Sequence, residues 1–333
     1  MKITVLGSGA WGTALSFLLL DNGNEVTLWS HKQEDVDVML RAGENPRLPG
    51  LPLPKELKLT ADFDSLADSQ MVVIATPSFA VRTTADQISS LISPGTYVVS
   101  VAKGLERGTS LRLSQVIDEE LGGSCPVVIL SGPSHAEEVA RRIPTAVVSA
   151  SQSQKAAELV QDTFMNEHFR VYSSPDVIGV EISAALKNVI ALCAGACHGM
   201  GLGDNTVAML MTRGLTEIAR LGEALGGCKE TFAGLAGMGD LIVTCTSMHS
   251  RNNRCGILIG KGVPVQEAMV QIGAVVEGYY AAAAAKEMAE KYNVEMPITQ
   301  GAYKVLYEGE DPHTVVTQLM GRRKKAEIEE SWL

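Results

Sequence analysis

A chain of 333 residues is about twice the usual domain size, which sets the expectation of two domains. With 46% hydrophobic and 20% charged residues it holds enough apolar material for two cores, which excludes intrinsic disorder. The net charge of −10 excludes a general binder of nucleic acid or anionic membranes, and leaves an anionic ligand only a local basic pocket.

The N-terminus, Lys2 followed by ITVLGSGAWGTALSFLLL, has the outline of a signal peptide, but glycines at 7, 9 and 12 interrupt it with a spacing of their own. Short apolar or β-branched runs occur at 3–6, 26–29, 71–75, 97–101 and 127–130. Between the first two, Ala10–Asp21 has helix length and ends at Asn22-Gly23 as a C-cap would. Runs this apolar suit strands covered on both faces, and their alternation with helices predicts a parallel sheet. Pro46, Pro49, Pro52 and Pro54 make 43–56 an irregular loop, and further strands are predicted at 145–150 and 169–172.

From about Pro175 the strand-like runs cease, and helical segments follow at 176–198, 204–225, 251–261, 264–272, 278–292 and 297–308. The expected fold is therefore α/β: a Rossmann-type, doubly wound parallel sheet over 1–174, then an all-helical domain over 175–333. The closing Arg322-Arg323-Lys324-Lys325, with AEIEE after it, reads as a solvated final helix. Beyond the N-terminal stretch no window approaches 18 uncharged apolar residues, so no membrane span is expected. The six cysteines form no CxxC; Cys193 and Cys197 share a helix face, and only His198 stands near as a further metal ligand. They read as reduced structural cysteines of a cytoplasmic protein.

Gly7-Ser8-Gly9-Ala10-Trp11-Gly12 matches GxGxxG where the motif needs to be, after a strand and opening a helix. Gly7 permits the tight turn, Gly9 lets the backbone approach a diphosphate, and Gly12 lets helix and strand pack closely. The helix N-terminus offers free N–H groups to the phosphates. At the end of the second strand, Trp29-Ser30-His31-Lys32 lacks the carboxylate that selects NAD, and Asp35 lies too far along to replace it. NADP(H) is thus expected to be accepted, alongside or instead of NAD(H).

Thr76-Pro77-Ser78, Lys103-Gly104 and Ser131-Gly132-Pro133-Ser134 follow strands and point into one crevice. Lys103 there is either a carbonyl- or phosphate-binding cation or a surface lysine. Lys187 lies in AALKNVIAL, a helix segment apolar on every side. It is either desolvated and suited to proton transfer, with Asn188 beside it, or it snorkels or pairs with Glu181 or Glu217. In GMGDLIVT the glycines suggest a turn projecting Asp240, and SRNNR (250–254) opens a helix either as a phosphate site or as an ordinary capped start. His198, His249 and His313 show no triad or metal spacing and read as structural.

With these motifs in order, the chain resembles the bacterial NAD(P)-dependent sn-glycerol-3-phosphate dehydrogenases across essentially its full length. The resemblance is carried by GSGAWGTAL, LWSH, AKGLE, SGPSHAEEV, GVEISAALKNVIA, TRGLTEIARLG, LAGMGDLIVTCTS, SRNNR and VVEGYYAA. It implies interconversion of dihydroxyacetone phosphate and sn-glycerol 3-phosphate with a nicotinamide cofactor and no metal, supplying the phospholipid backbone, in a homodimer. Carried over by position, the proton-transferring lysine is Lys187, with Asn188 as its companion, Asp240 as its partner and Thr244 one turn later. Substrate contacts fall on Lys103, Gly132, Ser134, Lys187, Asp240, Thr244, Ser250, Arg251 and Asn252. Cofactor contacts fall on the glycine loop with Ala10 and Trp11, and on His31, Lys103, Ala136, Arg251, Val275 and Glu277. Many relatives carry Ser where Ala10 stands, which removes one hydroxyl contact. The rivals are another two-domain dehydrogenase of the β-hydroxyacid type, against which SRNNR and GMGDL argue, and a nicotinamide sensor, which has no need of both Lys187 and Asp240.

Overall fold

The computed structural model describes residues 1–324, 326 and 327. Eight strands form one sheet in the order β3-β2-β1-β4-β5-β6-β7-β8. These are β1 Lys2–Leu6, β2 Glu25–Trp29, β3 Lys58–Thr60, β4 Met71–Ile74, β5 Tyr97–Ser100, β6 Val127–Ser131, β7 Thr145–Ala150 and β8 Phe169–Ser174. Side chains alternate between faces, so Val73, Val99 and Val128 join one buried cluster and Val72, Ile74 and Val98 another. Helix Ala10–Asp21 packs in the first cluster through Leu15 and Leu18, and helices Val81–Ser89 and Leu113–Leu121 cover the second. The stretch with the outline of a signal peptide is thus β1 and the first helix, whose apolar residues pack into the sheet core.

Two expectations about the sheet need correction. The edge strand β3, paired in parallel to β2, has only three residues, too few to show a period in sequence. The sheet is also not wholly parallel, because β7 runs antiparallel to β6 while β8 runs parallel to β7. The reason is the connection: 132–144 holds one helix of four residues, Ala136–Val139, too little to cross a sheet face and re-enter from the other end.

The helical half is built on Val177–Gly199, started by Asp176, whose Oδ1 accepts from Gly179 N at 2.8 Å and whose Oδ2 accepts from Cys228 N at 2.9 Å. Contrary to the sequence expectation, this helix is long and apolar enough to cross a membrane; however, 83% of its apolar window is buried against the rest of the protein, as in a core helix. Around it stand Asp204–Ala224, Arg251–Gly260, Glu277–Lys291 and Pro297–Tyr303, the last continuing in a π-helical turn, Lys304–Glu308. The helix Pro312–Met320 ends before the basic cluster, and Arg322 to Lys324 follow in non-helical backbone. The remainder of the expected final helix, Lys325 and 328–333, lies outside the described residues. All six cysteines are free.

Two helices of this half pack closely where glycines face the backbone of the neighbouring helix. A Cβ on Gly195 would lie 2.0 Å from Asn253 O, and one on Gly256 would lie 2.0 Å from Leu192 O. Gly199 and Gly260 repeat the arrangement one turn on, at 2.3 Å from Ile257 O and 2.2 Å from Ala196 O. Backbone therefore meets backbone, which sets Arg251–Gly260 directly against Val177–Gly199. Gly256→Ala should destabilise the protein by about 2 kcal/mol, although helix propensity alone favours Ala by about 1 kcal/mol. Urea unfolding checks the sign; a stabilised variant would mean that the two helices do not touch at this point.

Candidate active site

The carboxyl ends of β1, β2, β4, β5 and β6 meet helices of the second half at one end of the sheet. After β1, Gly7 takes φ +123°, and a Cβ there would lie 2.7 Å from Ala75 O. A Cβ on Gly12 would lie 2.0 Å from Gly7 O, whereas one on Gly9 meets no atom within 4 Å. Two of the glycines are thus fixed by packing, and the third leaves an open cradle. Among the described residues no side chain caps the helix that begins at Ala10, so its first N–H groups, at Ala10, Trp11 and Gly12, face that cradle. A diphosphate fits such a site. Ser8 Oγ donates to Ser30 Oγ at 2.8 Å and ties the loop to the end of β2, while His31 beyond it is exposed. Asp35 Oδ2 accepts from Ser30 Oγ at 3.5 Å and pairs with Arg47 at 3.3 Å.

The second feature is a cluster of charge. Ten residues from Val177, at about 1.5 Å each, carry Lys187 about 15 Å along its helix toward the strand ends. Its Nζ donates to Asp240 Oδ1 at 2.5 Å and to Thr244 Oγ1 at 2.7 Å. Neither alternative partner competes: Glu181 accepts from Arg112 at 2.7 Å, and Glu217 accepts from the backbone of Ile298 and Thr299 at 2.6 and 3.1 Å. Lys103, just past β5, donates to the other oxygen of Asp240 at 2.8 Å and to Gly132 O at 2.8 Å. Ser134 Oγ donates to the same carbonyl at 3.0 Å.

Asp240 is not on a turn, as the flanking glycines suggested. A π-helical segment, Leu235–Gly239, runs straight into helix Asp240–Thr246. Gly237 serves close packing there, since its Cβ would lie 2.1 Å from Phe232 O. Thr244, one helical turn on, donates to Asp240 O at 2.6 Å and so turns a lone pair toward Lys187.

An ammonium has three donors. Among the described residues, Lys103 and Lys187 each use two on protein oxygens, which leaves each with one N–H for a ligand. Burial pulls the Lys187 pKa down to about 8 against the pull of Asp240, and the Lys103 charge assists burial. Asp240 is also buried, which opposes its ionisation, but the two ammoniums beside it hold its carboxyl below the ordinary value. Two cations on one carboxylate leave a net positive centre in an acidic protein.

A third set of residues borders this centre. Ser250 caps the helix Arg251–Gly260, its Oγ accepting from Asn253 N at 3.2 Å. The glycine contact then brings Asn252 against Asn188, with Nδ2 donating to Asn188 Oδ1 at 3.0 Å, and Asn252 Oδ1 accepts from Gly278 N at 2.9 Å. Arg251, exposed at the first turn, is free of that network. Glu277 accepts from Ser78 Oγ at 2.8 Å, and a Cβ on Gly104 would lie 3.3 Å from its Oε2. Val275 precedes it, and Ala136 begins the short helix after β6.

The structure thus brings Lys103, Gly132, Ser134, Lys187, Asp240 and Thr244 into one hydrogen-bonded cluster, and Asn188 and Asn252 into a second. It leaves His31 at the periphery. Sequence reasoning gave no role to Ser78, visible only as a strand-end residue, or to His135, which sits inside the SGPSHAEEV block.

Both halves of the chain match known proteins. Family models for the N-terminus and the C-terminus of NAD-dependent glycerol-3-phosphate dehydrogenase match residues 2–157 and 176–317. The chain is 53% identical over 330 residues to a glycerol-3-phosphate dehydrogenase [NAD(P)+] of Desulfitobacterium hafniense, covering 99% of this chain and 94% of the relative. It is 50% identical to one of Bacillus cereus, with 98% of each covered. The crystal structure of glycerol-3-phosphate dehydrogenase from Coxiella burnetii superposes with a TM-score of 0.92 at 40% identity, covering 96% of this chain and 99% of that one. With both halves matched in order, the chain belongs to the NAD-dependent glycerol-3-phosphate dehydrogenase family.

Proposed function

We propose that this protein interconverts dihydroxyacetone phosphate and sn-glycerol 3-phosphate with NADP(H) or NAD(H), and that Lys187 carries the proton. The observation behind this reading is the buried Lys187–Asp240–Lys103 cluster, which keeps one donor free on each ammonium. The open cradle at Gly9 and the uncapped helix behind it suit the cofactor diphosphate. When bound, the reduced nicotinamide supplies a hydride to the ketone carbon.

The chain's own residues do the rest. In the reducing direction the free N–H of Lys187 protonates the oxygen on that carbon, and in the oxidising direction neutral Lys187 removes the same proton. Asp240 and Thr244 hold the ammonium in line, and Lys103 stabilises the developing negative oxygen. Asn188 and Asn252, locked to each other, present amides to the substrate, while Ser250 and Arg251 hold the phosphate at the helix start. Gly132 and Ser134 shape the opposite wall. Ala136, Val275, Glu277 and His31 border the cofactor, and His31 with Lys32 receives a 2′-phosphate where NADP(H) binds. The diphosphate cradle lies in 1–174 and the proton-carrying lysine in 175–333, and each half lends residues to the other's ligand. The protein works as a cytoplasmic homodimer, and its product supplies glycerophospholipid synthesis.

Absorbance at 340 nm tests the function: oxidation of NADPH or NADH that depends on dihydroxyacetone phosphate supports it. Binding of both cofactors with no turnover would move the assignment to another substrate or to a sensor. Gly9→Ala tests the cradle. It should leave the melting temperature unchanged, since the added methyl meets nothing, and raise the NADPH Kd about tenfold or more by blocking backbone approach.

A further inference from the structure

His135 stands at the edge of the cluster, and its Nε2 is buried without any hydrogen-bond partner among the described residues. Polar atoms shut away from water are normally satisfied, so such an atom marks a place where something else supplies the partner. Its surroundings identify that place. The loop 132–135 leaves the end of β6, gives the Gly132 carbonyl to Lys103 Nζ at 2.8 Å, and packs Pro133 against Gly239, whose Cβ would lie 3.6 Å from the Pro133 ring. It therefore sits directly on the residue before Asp240. The imidazole rests on His249, with ring centroids 5.4 Å apart, and His249 Nδ1 lies 3.9 Å from Glu137.

We propose that His135 is a substrate-contacting residue whose Nε2 hydrogen-bonds an oxygen of the bound triose phosphate, fixing its position without moving a proton. The proposal rests on the function given above.

The charged neighbours fit a neutral ring. Burial, the Lys187 ammonium and His249 lower the His135 pKa, while Glu138 and Glu137 oppose them without reversing the shift. A neutral imidazole serves as donor or acceptor and adds no further cation beside Lys187.

Steady-state kinetics of His135→Phe and His135→Gln test the idea, with wild-type turnover of dihydroxyacetone phosphate measured alongside. In His135→Phe the KM for dihydroxyacetone phosphate should rise about tenfold, with kcat within about a factor of two and NADPH affinity unchanged. His135→Gln, which restores a polar atom at similar reach, should recover most of that loss. If Phe prevents folding, His135→Ala is read in the same way. An unchanged KM in His135→Phe, or a Gln variant as impaired as Phe, overturns the proposal while the enzyme's function stands. A wild-type protein that does not reduce dihydroxyacetone phosphate overturns the function, and this proposal with it.

Discussion

Lys187→Ala should lower kcat by about a hundredfold or more while leaving NADPH affinity unchanged. The lysine is buried on the central helix, with 6% of its side chain exposed, and its two recorded bonds end on Asp240 and Thr244. Removing it deletes the proton carrier but leaves Asp240 paired to Lys103 at 2.8 Å, so no carboxylate is stranded and the fold should persist. Lys187→Arg should be nearly as slow, because a guanidinium does not give up its proton near neutral pH. Turnover at 340 nm and cofactor binding by fluorescence titration separate the two effects. Turnover within a few-fold of wild type in the Ala variant would remove Lys187 from the chemistry.

Asp240→Asn should do damage of two kinds. The side chain is 1% exposed and is the countercharge to both ammoniums. Taking away one side of a buried ion pair costs about 3–5 kcal/mol, so the melting temperature should fall clearly. Burial and the Lys103 charge would then act on Lys187 without that countercharge, and its pKa should drop below the present value of about 8. A lower pKa leaves less ammonium at neutral pH, so reduction slows most and its pH profile moves to the acid side. Turnover in the reducing direction should fall by about a hundredfold. A variant with a wild-type profile would show that Asp240 does not set the ionisation of Lys187.

The parts of this protein that are local in sequence were legible in sequence. The glycine loop could be read because turn, approach and packing lie within six residues, and the structure gives Gly7, Gly9 and Gly12 three different environments. Lys187 stood out because an ammonium in an apolar helix has few uses. Its partner could not be read from the helix itself. Glu181 and Glu217 were nearer choices in sequence, whereas the carboxylate that holds it lies 53 residues away, on a helix that the glycines 237 and 239 disguised as a turn.

The antiparallel return of β7 depended on how little chain separates it from β6, a length effect that no periodicity reports. The glycine faces at 195, 199, 256 and 260 were present in the sequence, but each has meaning only against the other helix. That contact is what brings Asn252 to Asn188, so the least legible feature of the fold is the one that assembles the substrate side of the site.

The most direct test of Lys187 as proton carrier is the pH dependence of kcat, measured in both directions. Reduction of dihydroxyacetone phosphate needs the ammonium and should fall as pH rises through about 8, while oxidation of sn-glycerol 3-phosphate needs the neutral amine and should rise through the same value. Opposite slopes that share one midpoint are the expected result. Rates that stay flat between about pH 7 and 9.5 in both directions, or that move in the same direction, would contradict a proton carried by Lys187.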